Sequence, residues 1–242
     1  MRGRRAGYHD HVDNQTTVRL AGLAVGAAVY AVRGRASQVF GRSFYRGDRS
    51  QPQIALTFDD GPCASTPALL ELLAKHGVRA TFFMCGQNVQ RFPEIARAVH
   101  AAGHEIGNHS HSHPYLCFKS SAFIDAELAA AQEAIRQTTG VTPRWFRAPF
   151  GVRWFGVRAA QNRLGLTGVM WNVLGRDWKW PGNRVSRRIL RKASNGSIVC
   201  LHDGRRLQAA PEIGMTIKAV AMVIPKLKER GLKFVTVSEM LG

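Results

Sequence analysis

Short apolar segments alternate with amphipathic segments along most of this chain. Candidate strands lie at residues 54–58, 79–84, 104–107, 144–147, 168–172, 197–201 and 233–237. Apolar residues recur at helical spacing at 66–76, 92–102, 122–138, 153–164, 184–194 and 215–230. This alternation of strands and helices predicts a parallel sheet covered by helices.

The residues at the expected starts and ends of the helices favour helix boundaries there. Ser121 precedes the helix predicted at 122–138, and Gly140 follows it. Four more glycines stand where helices should end, at Gly77, Gly103, Gly165 and Gly231. Glycine readily adopts the left-handed conformation of a helix C-cap. Pro225 lies within the last helical pattern and predicts a kink or a break there.

Seven predicted strands favour a barrel, complete or incomplete, over an open sheet. Such an α/β barrel spans residues 53–242, and its active site lies at the carboxyl ends of the strands. The chemically active residues fit this rule, because each comes after a predicted strand. They are Asp59, Asp60, His109, His113, Arg147, Asp177 and His202.

Residues 1–52 differ from the rest and predict an N-terminal extension. A basic start leads to an apolar run at 20–32, which Arg33 and Arg35 close. Its 13 residues are fewer than the ~20 that a membrane-spanning helix needs. We interpret the run either as an uncleaved anchor or signal, or as a surface helix packed on the domain. Residues 33–53 are expected to form a flexible, basic lead into the domain.

Composition narrows the choice of partners more than the choice of fold. The 242 residues, 45% of them hydrophobic, can bury one large core. The formal charge of +18 favours nucleic acid, anionic lipid headgroups or acidic envelope polymers as partners. No nucleic-acid-binding motif accompanies the basic stretch from Arg176 to Arg206, so we expect a solvated face and no specific nucleic-acid partner. The four cysteines include no CxxC pair, which argues against a cysteine zinc site.

Two adjacent carboxylates, Asp59 and Asp60, end the first predicted strand and precede Gly61 and Pro62. Side chains alternate along a strand, so the two carboxylates can approach one site only where the chain turns. One carboxylate can then hold a metal while the other moves a proton. Taken alone, the four residues also fit a solvated turn.

A histidine-rich segment follows the third predicted strand. His109 and His113 are four residues apart, which in a helical turn directs both imidazoles the same way, while His111 points elsewhere. Two such histidines and one carboxylate make a His₂Asp metal site with a fourth position open for water. A chance cluster of histidines is the alternative, and the Asp59-Asp60 pair favours the metal site.

Further candidates follow later strands. Arg147 can clamp a carboxylate with bidentate hydrogen bonds, and the turn after it offers a backbone N–H to a developing oxyanion. His202 is suited to act as a general acid whose pKa a nearby Asp raises. Trp178 can form a flat wall for a sugar ring, although a lone Trp more often packs in a core.

In this order, the segments TFDDGP, HSHSH, RAPFG, RDW and CLHDG resemble the motifs of polysaccharide deacetylases with a NodB-type domain, the family 4 carbohydrate esterases. The resemblance covers residues 53–242 and implies a distorted (β/α) barrel with about seven parallel strands. It implies that Asp59 is the catalytic base. It also implies that Asp60, His109 and His113 hold the metal.

The remaining roles are also implied by the resemblance. Arg147 would position the base, and the backbone N–H of Phe150 would help to bind the oxyanion. Asp177 would tune the general acid, His202. Trp178 would line the substrate groove.

Two positions depart from the family pattern. Leu174 stands where an Asp is usual, which predicts an altered groove with the chemistry retained. Cys200 stands where a Leu usually lines the pocket for the acetyl methyl group. A cysteine is a small hydrophobic residue and can fill the same role.

We therefore predict a metal-dependent hydrolase that removes N-acetyl groups from an amino-sugar polysaccharide, either peptidoglycan or chitin-like N-acetylglucosamine oligomers, and releases acetate. Zn²⁺ is the first choice of metal, with Co²⁺, Ni²⁺ and Mn²⁺ as alternatives. An O-deacetylase and a non-catalytic envelope-glycan-binding protein stay open as other functions. The expected location is the cell envelope or the exterior, with an anionic membrane surface or the cell wall as a partner; a cytoplasmic location is the alternative.

Overall fold

The computed structural model describes residues 14–242, so the basic start of the chain lies outside the described residues. The strands in this part are β1 (Ser43–Phe44), β2 (Gln53–Asp59), β3 (Thr81–Met84), β4 (Glu105–Asn108), β5 (Trp145–Phe146), β6 (Thr167–Val169), β7 (Val173–Leu174), β8 (Ser197–His202) and β9 (Lys233–Phe234). The α-helices are α1 (Asn14–Arg33), α2 (Thr66–Lys75), α3 (Gly86–Arg91), α4 (Pro93–Ala101), α5 (Ser121–Thr139), α6 (Val157–Leu164), α7 (Gly182–Lys192), α8 (Gly214–Glu229) and α9 (Val237–Leu241).

The strands form one parallel sheet that curves round on itself. Their order is β1-β6-β5-β4-β3-β2-β8-β7, and β9 also pairs with β2. In a flat sheet β6 and β7 would lie about 29 Å apart, at about 4.8 Å per strand. Only residues 170–172 separate them in sequence, and so short a link spans about 14 Å at most. The sheet is therefore rolled into the distorted barrel that the sequence predicted.

The alternation of side chains along β2 separates the outer core from the barrel interior. Ile54, Leu56 and Phe58 pack with Leu69 and Leu73 of α2 in the main hydrophobic core. The residues between them, including Ala55, face the interior with residues of β3, β6 and β8. Asp59 continues the inward-facing set, so strand periodicity directs its carboxylate into the barrel.

Each predicted strand and helix has a counterpart in the structure, and the differences have local causes. Only the start of the apolar run at 168–172 is a strand, because β6 ends at Val169 and β7 begins beyond the run at Val173. The run at 233–237 ends as a strand at Phe234, shortly before α9 begins at Val237. The strand β1 and the helix α3 were not predicted, since two and six residues are too short to show a period. The helix α8 continues through Pro225, so the predicted break does not occur; a kink at Pro225 stays a prediction.

The N-terminal helix α1 stands away from the barrel. It has 20 residues, seven more than the apolar run, and is long and apolar enough to cross a membrane by length and composition. Residues 15–30 are all exposed, so the helix does not pack on the domain as a surface helix would. Its C-terminal end contacts the domain, where the backbone N–H of Arg153 donates to Val32 O at 3.1 Å.

Residues 37–46 belong to the folded domain, so the prediction of a flexible lead over 33–53 was wrong. The buried Arg153 donates to Ser37 O at 2.7 Å and also to Gly34 O. Phe40 is buried against Phe155, with ring centroids 4.8 Å apart. The short strand β1 then pairs with β6. These contacts are made to residues more than a hundred positions away, which sequence periodicity cannot reveal.

Candidate active site

A cleft of about 610 Å³ opens at the carboxyl ends of the barrel strands. All the predicted site residues line it except Arg147 and Asp177, which lie buried beneath it. The lining residues include Asp59, Asp60, His109, His113, Phe150, Leu174, Trp178, Cys200 and His202. Strand ends thus bring together residues from positions 59 to 202, as the barrel rule requires.

The two adjacent carboxylates face different partners. Asp59 ends β2 and points into the barrel, where its Oδ1 accepts a hydrogen bond from Arg147 Nη1 at 2.6 Å. Asp60 adopts a left-handed backbone conformation, with φ of 76°, which turns its side chain toward the histidines. Both carboxylates are buried, at 3% and 6% exposure. The turn therefore separates their environments, as the sequence predicted.

Asp60 meets both histidines of the second motif. Its Oδ1 lies 3.3 Å from His109 Nε2 and 3.0 Å from His113 Nε2. Burial disfavours its charged form, but the hydrogen bonds from these two histidines outweigh that cost and hold the pKa of Asp60 well below its ordinary value. The other carboxylate oxygen accepts from the backbone N–H of Arg206 at 2.8 Å.

The histidine segment is not a helical turn, which corrects the predicted local geometry. Residues 109–113 are irregular, and the backbone is left-handed at Ser110 and His113, with φ of 64° and 54°. The two imidazoles still converge, with ring centroids 5.0 Å apart. His111 does not join the cluster of Asp60, His109 and His113, as predicted. Loop geometry therefore achieves the convergence that was expected from helical spacing.

The three residues fit a divalent cation. His109 Nδ1 lies 2.7 Å from Arg147 O, and because a carbonyl only accepts, that nitrogen carries a proton and Nε2 is the atom available to a metal. Nε2 lies 3.3 Å from the carboxylate oxygen of Asp60, so both atoms would face a cation bound between them. Two imidazoles and one carboxylate are a common donor set for zinc, with a remaining position open.

Arg147 is fully buried inside the barrel. Besides Asp59, its guanidinium donates to Thr57 Oγ1 at 2.7 Å and to Val169 O at 3.0 Å. The guanidinium carbon also lies 4.1 Å from the ring centroid of Phe83. These contacts fix the guanidinium in place, so it can hold the Asp59 carboxylate in one orientation.

His202 and Asp177 form the second charged pair of the cleft. His202 Nδ1 lies 3.0 Å from Asp177 Oδ1, and its backbone N–H donates to Asp177 Oδ2 at 2.8 Å. Burial alone would lower the pKa of His202, but the Asp177 carboxylate raises it to about 9. The ring also packs edge-on against Trp178, at 4.9 Å between centroids. The pair thus favours a protonated imidazole in the cleft.

Three residues complete the walls. Phe150 has a left-handed backbone, with φ of 58°, and its ring packs 4.7 Å from His113. Cys200 is buried, with its Sγ 3.4 Å from Asp59 Oδ2. Leu174 contributes an apolar side chain where the family pattern has an acid. Asp59, Cys200 and His202 also bring donor atoms within 4.8 Å of one another, but Arg147 and Asp177 already engage two of these side chains.

Several supporting residues were not predicted from the sequence. Glu127 of α5 accepts from the backbone N–H groups of His111 and Ser112, at 3.0 and 2.8 Å, and from Ser112 Oγ at 2.7 Å. Thr216 of α8 donates to Asp177 Oδ2 at 2.7 Å. Both are polar residues on helices with no motif around them. Only the tertiary structure shows that they support the loop that carries the histidines and the pair of His202 and Asp177.

We expect Glu127→Gln to weaken metal binding about tenfold, because groups that orient metal ligands typically contribute 10- to 100-fold to affinity. The amide keeps the size of the carboxylate but loses the charge and one acceptor for the loop that carries His109 and His113. Competition with a chelator measures the affinity. Glu133→Gln on the exposed side of the same helix, where Glu133 pairs with Arg136, is the matched control. Equal affinities in the two variants would contradict a positioning role for Glu127.

Comparison with known proteins agrees with the motifs and the fold. A sequence model of the polysaccharide deacetylase family matches residues 46–169. The chain is 39% identical over 189 residues to the chitooligosaccharide deacetylase of Bradyrhizobium sp. (strain ANU 289), an alignment that covers 74% of this chain and 86% of the relative.

Two solved structures share the fold at a TM-score of 0.76. The Bc1960 peptidoglycan N-acetylglucosamine deacetylase is 30% identical, with coverage of 82% of this chain and 92% of that one. BA3943, a CE4-family pseudoenzyme from Bacillus anthracis, is 31% identical, with coverage of 83% and 69%. Because one neighbour is an enzyme and the other a pseudoenzyme, the fold alone does not decide turnover. Family membership does follow: the chain belongs to the polysaccharide deacetylase family.

Proposed function

We propose that this protein hydrolyses the acetamide groups of an amino-sugar polysaccharide, releasing acetate and leaving a free amine. The substrate class is peptidoglycan or chitin-like N-acetylglucosamine oligomers, by analogy with the relatives named above. Asp59 serves as the base, His202 as the acid, and Asp60, His109 and His113 as the metal ligands.

One observation carries this proposal: the two adjacent carboxylates have separate partners. Asp60 faces two imidazoles, as a metal ligand should. Asp59 faces Arg147 with one oxygen and the cleft side of Cys200 with the other. Two residues of a solvated turn would be exposed and would not have such partners. Base and metal ligand are thereby held side by side over one reacting centre.

The proton path follows from the positions of these side chains. Asp59 accepts a proton from the attacking water as the water oxygen bonds to the acetamide carbon. The Phe150 N–H donates to the oxyanion that develops on the carbonyl oxygen. His202 then transfers its proton to the amide nitrogen as the C–N bond breaks. A divalent cation at Asp60, His109 and His113 would polarise the carbonyl and lower the pKa of bound water.

The substrate groove and the location extend the proposal. Trp178, 47% exposed beside His202, offers a flat face to a sugar ring, and Cys200 borders the space for the acetyl methyl group. Zn²⁺ is the first metal to test, before Co²⁺, Ni²⁺ and Mn²⁺. The exposed apolar side chains of α1 support attachment of the N-terminal extension to the cell envelope, with a catalytic domain that includes residues 37–46 besides 53–242.

The test is acetate release by the full-length protein from peptidoglycan and from N-acetylglucosamine oligomers. After chelation, release should stop, and added Zn²⁺ should restore it to the level of the untreated protein. An O-acetylated polysaccharide assayed in parallel distinguishes ester from amide hydrolysis.

Two outcomes would contradict the proposal. Release from the O-acetylated polymer alone would identify an esterase. The absence of release from every glycan, with metal shown to be bound, would favour a non-catalytic glycan-binding role.

A further inference from the structure

A second pocket, of about 360 Å³, adjoins the catalytic cleft. We call it the basic pocket, because the charged residues that line it are Arg33, Arg35, Arg176, Arg188 and Lys192. They come from the end of α1, the segment after β7 and the helix α7. Among residues 14–242 no acidic residue lines the pocket, and its five cationic side chains carry a formal charge of +5.

The cations of the basic pocket have no counter-charge in the part of the chain that the structure describes. Within residues 14–242, none of the ion pairs includes any of the five. Backbone carbonyls hold two of them instead: Arg35 donates to Asn172 O and Arg188 to Leu174 O, both at 2.7 Å. The guanidinium of Arg176 lies 5.2 Å from the centroid of the Trp180 ring.

The arginines of the basic pocket influence one another electrostatically. Burial and the charges of Arg176, Arg191 and Arg35 lower the pKa of Arg188. Holding like charges close together costs free energy, and an anion bound among them would offset that cost. Guanidinium groups with fixed orientation are also well suited to the planar or tetrahedral oxygens of carboxylates and phosphates.

The basic pocket is continuous with the cleft. Five residues line both spaces: Arg33, Phe150, Gly151, Trp171 and Leu174. Leu174 stands at the boundary, where the family pattern has an Asp. A carboxylate there would neutralise part of the positive charge, whereas leucine leaves the charge intact. An anion in the basic pocket would therefore belong to the same molecule whose acetamide occupies the cleft.

We infer that the basic pocket binds an oxyanion, a carboxylate or a phosphate, carried by the glycan next to the sugar that is deacetylated. This inference rests on the proposed deacetylase function and gives it a preference for anionic over neutral glycans. It also assigns a role to the end of α1, which supplies Arg33 and positions Arg35 at the substrate.

Three disaccharides of equal length test the inference on the full-length protein. They are neutral N,N′-diacetylchitobiose, its 1-phosphate, and N-acetylglucosaminyl-N-acetylmuramic acid, which carries a lactyl carboxylate. The double variant Arg35→Gln/Arg188→Gln should lower the ratio of kcat/KM on a charged disaccharide to that on the neutral one by about tenfold, mainly through KM. Arg187→Gln, one position along α7 and outside the pocket, is the matched control.

Equilibrium binding of the same disaccharides is measured beside acetate release, so a protein that releases no acetate still reports on the basic pocket. Tighter binding of either anionic disaccharide, lost in the double variant, supports the inference and shows whether phosphate or carboxylate is preferred. Equal affinities for charged and neutral disaccharides in the unmodified protein would overturn it. So would a double variant that loses only binding to phosphatidylglycerol vesicles, because the pocket would then serve lipid headgroups.

Discussion

Asp59→Asn is expected to lower kcat about a thousandfold while the protein keeps its metal, since general base catalysis typically contributes 10²- to 10⁴-fold. The amide oxygen can still accept from Arg147, so the geometry of the cleft is retained. What is lost is the ability of the side chain to take a proton from water. Turnover of N-acetylglucosamine oligomers and the metal content of the same preparation are the two measurements.

The adjacent carboxylate provides the contrast. Asp60→Asn should lose metal, because Asp60 is the carboxylate that faces His109 and His113. If Asp59→Asn retained full activity, or if it lost metal as Asp60→Asn does, the division between base and ligand would be wrong. A moderate fall in melting temperature is expected for Asp59→Asn, because Arg147 then remains buried without its counter-charge.

The placement of the two carboxylates could be predicted from the sequence because strand periodicity and a turn determine it locally. Asp59 continues the inward-facing positions of β2, and the left-handed turn at Asp60 reverses the direction of the next side chain. The histidine pair was found for a different reason. Its spacing indicated convergence through a helix, whereas an irregular loop brings the imidazoles together.

The polar side chains that support the site could not be predicted from local sequence patterns. Glu127 reaches the histidine loop from 15 residues away, and Thr216 reaches Asp177 from 39 residues away. Each is a single polar residue on a helix. The hydrophobic periodicity of a helix shows only which of its faces is apolar. Which polar side chain meets which loop depends on how the helices pack against the barrel.

The basic pocket shows the same limit on a larger scale. Its charge was visible as a basic stretch from Arg176 to Arg206, for which solvation was the simplest interpretation. Arg35 lies in the segment 33–53 that was expected to be flexible. It is held near that stretch by its hydrogen bond to Asn172 O, 137 positions away in sequence. Charge composition therefore indicated an anionic partner, but the place where the charges converge required the tertiary structure.

His202→Asn is expected to reduce amide hydrolysis by about 10²- to 10³-fold, within the range of general acid catalysis. The departing amine needs a proton, and His202 is the imidazole beside Asp177 that can supply it. An ester with a good leaving group, such as 4-nitrophenyl acetate, needs little protonation. The variant should therefore lose much less of its ester hydrolysis than of its amide hydrolysis. The measurement is the ratio of the fold loss on the amide to the fold loss on the ester.

The pH profile gives the same role an independent test. A general acid must be protonated, so kcat/KM should fall as the pH rises through the pKa of His202, which Asp177 raises to about 9 in the metal-free protein. A bound cation repels the imidazolium and moves this alkaline limb to lower pH. Asp177→Asn removes the charge that raises the pKa and should move the limb further toward about 6.5, the ordinary value for histidine. If the limb kept its position in Asp177→Asn, a group other than His202 would be the acid, and the small loss on activated esters would need another cause.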